Sequence, residues 1–209
     1  MKTNDPPEVT RAIDAFQFAW EMSTKRYAAT MINSERCLQA CLYHYMQSKL
    51  GEDFTVYIEA VVKNPAGQKI TVDTMIVHKK EVVLAAELKY TPRGTPPTNK
   101  IQKDVLSLSS LTNLKSEGDL VSIEIGRFRN RKKETLFLSM AKKRKLIFAA
   151  YFKEESKHLN GNNFWNAYRP TLGYWSKSKR MPPNFGLSLA KADKDGRAEA
   201  SYVGTWLNS

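Results

Sequence analysis

Apolar residues recur along the first quarter of the chain at helical spacing. Val9, Ile13, Phe16 and Trp20 step by three or four behind Pro6 and Pro7, and predict a helix from about Glu8 to Ala29. A second stripe, Leu38, Cys41, Leu42, Tyr45 and Met46, predicts a helix capped by Asn33 or Ser34 and stopped by Gly51. Glu35 falls one turn before Leu38 and two before Leu42, on or beside the inward face near the helix start.

The period then changes. Thr55 to Lys63 and Lys69 to Val77 read as strands around the turn Asn64-Pro65-Ala66-Gly67. His78-Lys79-Lys80 is a short polar connection to a third strand, Val82 to Tyr90, apolar on both faces as in a central strand covered on each side. Three prolines and a glycine between Thr91 and Thr98 end it. A third helix begins near Asn99 with Ile101, Val105 and Leu108 in register. Val121 to Ile125 and Lys145 to Phe152 are further strands, and Asn160 to Ser188, rich in Gly, Pro, Asn and aromatics, reads as loop with short elements. The fold class is therefore α/β (α+β): a central mixed sheet flanked by helices over residues 1–152, with a basic, irregular, aromatic-rich extension over 153–209 packed on it.

Charge sharpens the picture. The 209 residues carry 33 Lys and Arg against 21 Asp and Glu, a formal net charge of +12, which points to an anionic partner. From Arg127 to Arg180 there are fifteen basic residues against Glu134, Glu154 and Glu155, interleaved with Phe128, Phe164, Trp165, Tyr168, Tyr174 and Trp175. Cations among aromatics suit a phosphate backbone and unstacked bases, although the same aromatics serve equally well to close a small satellite core. No apolar run reaches the roughly 20 residues of a membrane helix, and the first residues hold no apolar signal core, so a cytoplasmic protein is expected. Cys37 and Cys41 read as reduced thiols on a helix; with His44 they lack a fourth ligand at zinc spacing. No Gly-rich phosphate loop or nucleophile elbow is present.

Candidate chemistry gathers on the second and third strands. Glu87 and Lys89, two apart, share a face at the end of the third strand, and Asp73 lies on the neighbouring strand on the face of Met75 and Val77. A hairpin around His78 to Glu81 brings Asp73 roughly level with Glu87 or Lys89, so that two carboxylates converge with an ammonium. Glu59 reads as a solvent-side strand residue.

A strand acid, then Glu-x-Lys on the next strand, then a helix, all preceded by a helix bearing Glu, resembles the pattern of the PD-(D/E)xK, or restriction-endonuclease-like, nucleases. The matching residues are Glu35, Asp73 and Glu87-Leu88-Lys89, and the likeness covers roughly Asn33 to Leu111; Val72 replaces the motif's Pro, and Gln102 is followed four residues on by Leu106 rather than the Tyr of some exonuclease-like relatives. The resemblance implies a restriction-endonuclease-like core and a magnesium-dependent nuclease, with manganese able to substitute. Asp73, Glu87 and the Leu88 carbonyl would hold metal, and Lys89 would orient and help deprotonate the attacking water. Glu35 would bind metal through water or position a ligand, with Lys100 and Gln102 near the scissile phosphate. DNA is the implied partner, and a homodimer fits the habit of many relatives. Lys100, Lys103, Arg129, Arg131, Lys132, Lys133, Lys142, Lys143, Arg144, Lys177, Lys179 and Arg180 are the candidate nucleic-acid contacts. A non-catalytic nucleic-acid-binding domain on the same scaffold is the alternative, and a basic protein with an acidic protein partner is a third reading.

Overall fold

A computed structural model describes residues 5–28, 31–63, 67–91, 98–111, 114, 120–125, 134–153, 185–192 and 198–199. It is an α+β arrangement in which helices cover a mixed sheet. The described elements are α1 (Pro7–Ala28), α2 (Glu35–Lys49), β1 (Phe54–Lys63), β2 (Lys69–His78), β3 (Glu81–Thr91), α3 (Thr98–Ser110), β4 (Val121–Ile125), β5 (Glu134–Lys153), β6 (Phe185–Ala192) and β7 (Ala198–Glu199). Strand order is β3-β2-β1-β4-β5-β6-β7, and β3 also pairs with β5. The first five strands thus close on one another: β1 pairs antiparallel with β2 and β4, β2 with β3, β4 with β5, and β3 runs parallel to β5.

Two cores result. One gathers Val62, Met75, Val77, Val105, Leu138 and Phe148 under α3. The other packs Phe16, Trp20, Leu38, Leu42, Ile76, Val83 and Leu88 between the sheet and helices α1 and α2. β3 lies between both, which explains its doubly apolar sequence. Phe16 and Trp20 stack one turn apart with centroids 6.3 Å apart, and each side chain buried this fully contributes about 2–3 kcal/mol. Of the two possible caps for α2, Ser34 serves, its Oγ accepting from the Cys37 N–H at 3.2 Å. The helix ends one residue earlier than its glycine implied, with Leu50 in extended conformation as the C-cap.

Alternation along β1 and β2 is not uniform. Phe54 and Val56 face the α1/α2 core, but Ala60 and Val62 face the α3 core. The parity switches at Glu59, whose φ of 51° is left-handed and costs a non-glycine residue about 1–2 kcal/mol. On β2, Met75 and Val77 face the α3 core and so do Ile70 and Val72, so parity switches there as well, about Asp73. The ladder runs Ile58↔Thr74 and then Ala60↔Val72, and skips the Glu59/Asp73 position between them. Both strands are kinked where the candidate acid sits.

β5 is longer than the sequence pattern implied. Its first part, from Glu134, pairs with β4, and its last part with β3 and β6. Between them the register jumps from Val82↔Met140 to Leu84↔Lys145. The excursion is Ala141-Lys142-Lys143-Arg144, the charged run that hides the strand from a hydrophobicity reading. β6 begins inside the stretch read as loop and continues the sheet parallel to β5; the other described part of the C-terminal extension is β7. No helix among the described residues is long and apolar enough to cross a membrane.

Candidate active site

The kink separates β2 from β3. Their ladder begins at His78↔Glu81 and ends at Thr74↔Ala86, so the next position would set Asp73 opposite Glu87. Past that point the edge of β3 presents backbone donors with no strand to meet them. Side-chain carboxylates take their place: Asp73 Oδ2 accepts from the Leu88 N–H at 2.7 Å, and Glu35 Oε2 accepts from the Tyr90 N–H at 3.1 Å. A buried backbone N–H left unpaired would cost about 1–3 kcal/mol, so these bonds fix the acids as much as they satisfy the strand. Asp73 therefore reaches across to the next strand instead of standing on the face of Met75 and Val77. The N–H and C=O of one extended residue point to the same side, so the Leu88 carbonyl is directed toward Asp73 as well.

Helix α2 supplies two residues here. Glu35 comes from its first turn, and Gln39, buried one turn on, donates from Nε2 to Asp73 Oδ1 at 3.5 Å, the limit of such a bond. Tyr90 ties the strand end to the loop before α2 by donating from its hydroxyl to the Ile32 carbonyl at 2.9 Å. Helix α3 supplies Asp104, whose Oδ2 lies 2.5 Å from Lys89 Nζ, both side chains about one-fifth exposed.

The electrostatics follow from burial. Burial, then the neighbouring Asp73 charge and the hydrogen bond between the two acids, push the Glu87 carboxyl up to about 10. Burial also raises Asp73 above the usual carboxylate range, opposed by the Leu88 N–H and the bond from Glu87. Glu35 is raised by burial too, against the pull of Lys89. Burial works against the Lys89 charge, but Asp104, Glu35 and Asp73 outweigh it and hold the ammonium above its ordinary value. At neutral pH the metal-free site is thus a protonated Glu87 hydrogen-bonded to Asp73, with Lys89 a cation clamped by Asp104.

Among the described residues no three His, Cys, Asp or Glu side chains are drawn together tightly enough to form a finished metal shell. What stands there is a two-carboxylate pair sharing a proton, with a carbonyl directed beside it. That donor set is hard, all oxygen and incomplete, which fits a divalent cation that keeps several waters, and the cation would replace the shared proton.

The expected set Glu35, Asp73, Glu87 and Lys89 is brought to one place. Gln102 lies on α3 near it, with its side chain outside the described residues. Gln39 and Asp104 were not foreseen. Asp104 carried a readable signal, being the one charge on the stripe Ile101, Val105, Leu108 and Leu111 that faces the core. Lys100 and Lys103 are exposed on the first turns of α3, the helix that brings Asp104 to the site. Lys142 and Lys143 are exposed too, but beside Val82 and Leu84, several residues along β3 from Glu87.

One expected contact is corrected. Arg144 does not face a phosphate: it is buried, and its guanidinium donates to the carbonyls of Leu111 (2.6 Å), Leu114 (2.6 Å) and Ala141 (3.0 Å), closing the C-terminal end of α3. Lys145 is likewise buried, 3.0 Å from Asp5. Arg129, Arg131, Lys132, Lys133, Lys177, Lys179 and Arg180 lie outside the described residues.

No protein-family model, curated protein or solved structure matches this chain.

Proposed function

We propose that the chain is a metal-dependent nuclease that hydrolyses DNA phosphodiester bonds, with a site of the restriction-endonuclease-like kind. One observation carries this reading: Glu35, Asp73, Glu87 and Lys89, from a helix and two strands, converge at the point where β2 and β3 part. Asp73 and Glu35 satisfy the edge of β3, but Glu87 beside Asp73 adds a second buried acid that the strand pairing does not require, and such costly juxtapositions gather at functional sites. The net charge of +12 and the exposed Lys100 and Lys103 beside the site favour a polyanionic substrate.

Asp73, Glu87 and the Leu88 carbonyl would hold magnesium or manganese. The cation, when bound, would supply positive charge to the scissile phosphate and acidify a water. Lys89, as an ammonium, directs N–H donors at the attacking water and lowers the cost of its hydroxide form. Glu35, already bonded to the Tyr90 N–H, has its second oxygen for a metal-bound water. Lys100 and Lys103 attract the flanking phosphates, and Gln102 lies on the same turns of α3. Asp104 holds Lys89 in position without touching substrate.

The test is cleavage of supercoiled and linear DNA with magnesium or manganese. Cutting should require the metal and stop with EDTA. Lys89→Met should cut at about a hundredth of the wild-type rate or less while still binding DNA, with affinity that falls steeply as salt is added. Salt-sensitive binding without cutting on duplex, single-stranded and branched DNA would instead establish a non-catalytic nucleic-acid-binding domain. Asp104→Asn leaves Lys89 in place but unclamped. Single-turnover cleavage should then slow about tenfold with KM little changed, and Asp104→Glu should recover part of it. An unaltered rate in Asp104→Asn would remove its positioning role.

A further inference from the structure

A groove of about 420 Å³ runs between α2 and β1, lined by Arg36, Gln39, Ala40, Tyr43, Ile58 and Glu59. Its volume is in the range of sites that take small organic groups. It shares Gln39 with the acidic centre. Gln39, on its wall, is the residue that bonds Asp73, and Glu59 occupies the kinked β1 position opposite Asp73. Arg36 follows Glu35 on α2, and Tyr43 lies two turns further on the same helix face, about 10 Å along the axis.

The lining is chemically assorted in a specific way. Arg36 is exposed and forms no ion pair among the described residues. Tyr43 leaves 43% of its surface uncovered. Ala40 and Ile58 give an apolar floor between them, and the Glu59 carboxylate is exposed at the side. We propose that this groove binds one unpaired nucleotide next to the scissile phosphate, so that the substrate is DNA carrying a single-stranded position at the cut. The inference rests on the nuclease reading and adds its substrate class.

Each part of the nucleotide meets a suitable group. The phosphate lies by Arg36, the residue after Glu35 on α2. The base lies over the Tyr43 ring, whose open face offers stacking that any base can accept. Glu59 accepts from an exocyclic amino group, as acidic side chains do from cytosine N4. A base inside a duplex has both faces stacked, so it cannot offer one to the Tyr43 ring, whereas an unpaired base can. The left-handed backbone at Glu59 turns the strand at the position where that carboxylate is needed.

The experiment uses the full chain and two fluorescent probes: a fully paired duplex, and the same duplex with a short single-stranded gap. Binding is read by anisotropy in EDTA, and cleavage by gel in magnesium. The wild type should bind the gapped probe about tenfold more tightly and cut within or beside the gap. Tyr43→Ala, at an exposed position that leaves the fold intact, should erase that tenfold preference without changing duplex affinity; Tyr43→Phe should keep it. Arg36→Ala should weaken the gapped complex. If wild type cuts both probes equally, or Tyr43→Ala changes nothing while cutting persists, the groove proposal is overturned and the nuclease reading stands. If wild type neither binds nor cuts either probe, both fall.

Discussion

Glu87→Gln should abolish metal-dependent cleavage, by about a thousandfold or more, and yet make the metal-free protein more stable above neutral pH. The two effects have one cause. Burial beside Asp73 raises the folded-state Glu87 carboxyl from its ordinary 4.5 to about 10. Between those values the folded chain holds a proton that the unfolded chain has released. Stability therefore falls as pH rises across that window, by at most about 1.4 kcal/mol per pH unit. It is fully present below about 4.5 and lost progressively toward 10; Asp73 and Glu35, also raised by burial, act in the same direction. Glutamine has the same shape, keeps a donor for Asp73 and does not titrate.

At pH 8 in EDTA the variant should thus gain on the order of 1–3 kcal/mol, since water entry trims the upper bound, or a rise in Tm of about 3–10 °C. Wild type should show the mirror image. Its Tm in EDTA should drop from pH 5 to pH 9, and magnesium should restore it most at the high end, where less proton competes for the carboxylates. Glu87→Gln should lose that magnesium response. A wild-type Tm that is flat across pH 5–9 in EDTA would show that the pair is not proton-coupled as described. A variant that still cuts would remove Glu87 from the metal-binding role.

How much of this was legible in the sequence depends on what kind of pattern carried it. The helices were readable because each buries an apolar stripe at helical spacing, and the first three strands because they are short apolar-rich runs bounded by turn residues, continuous on both faces in β3. The hairpin between β2 and β3 follows from the short polar link after His78, and it alone brings Asp73 opposite Glu87. Strand identity misled in two places. The first was the assumption of unbroken alternation: a left-handed Glu59 and a turned Asp73 reverse the faces, and no residue type marks this, since glycine or asparagine would be the usual sign. The second was β5, where Lys142-Lys143-Arg144 looks like an exposed break but is an excursion in a continuous strand.

The site was legible to the extent that its members come from neighbouring strands and a helix whose start is capped. Gln39 comes from a position where only the packing angle of α2 on the sheet decides the contact; Asp104 stood out as the one charge on the inward stripe of α3, but its partner Lys89 is set by how that helix crosses the sheet. Charge was the least reliable guide. Arg144 and Lys145 sit in the same basic run as Lys142 and Lys143, yet the first two are buried while the others are exposed. A count of cations has no access to that difference; it is set by which residues the register shift turns inward.

Arg144→Met gives that difference a measurable form. The methionine retains the bulk and apolar stem but cannot donate to Leu111, Leu114 and Ala141. Three carbonyls lose a charged donor, and the C-terminal end of α3 loses a cation that suits its dipole. Each buried carbonyl left unsatisfied costs about 1–3 kcal/mol, with water entry offsetting part, so a net loss of about 3–4 kcal/mol is expected. For a chain of this size that is a Tm lower by about 6–16 °C. DNA affinity measured well below the lowered Tm should be unchanged, with the same salt slope. Lys142→Ala with Lys143→Ala should do the opposite: leave Tm within about 1–2 °C and flatten the salt dependence of binding. Were Arg144→Met instead to keep its Tm and lose affinity, the guanidinium would belong to the phosphate-binding surface and the closure of α3 would rest on other contacts.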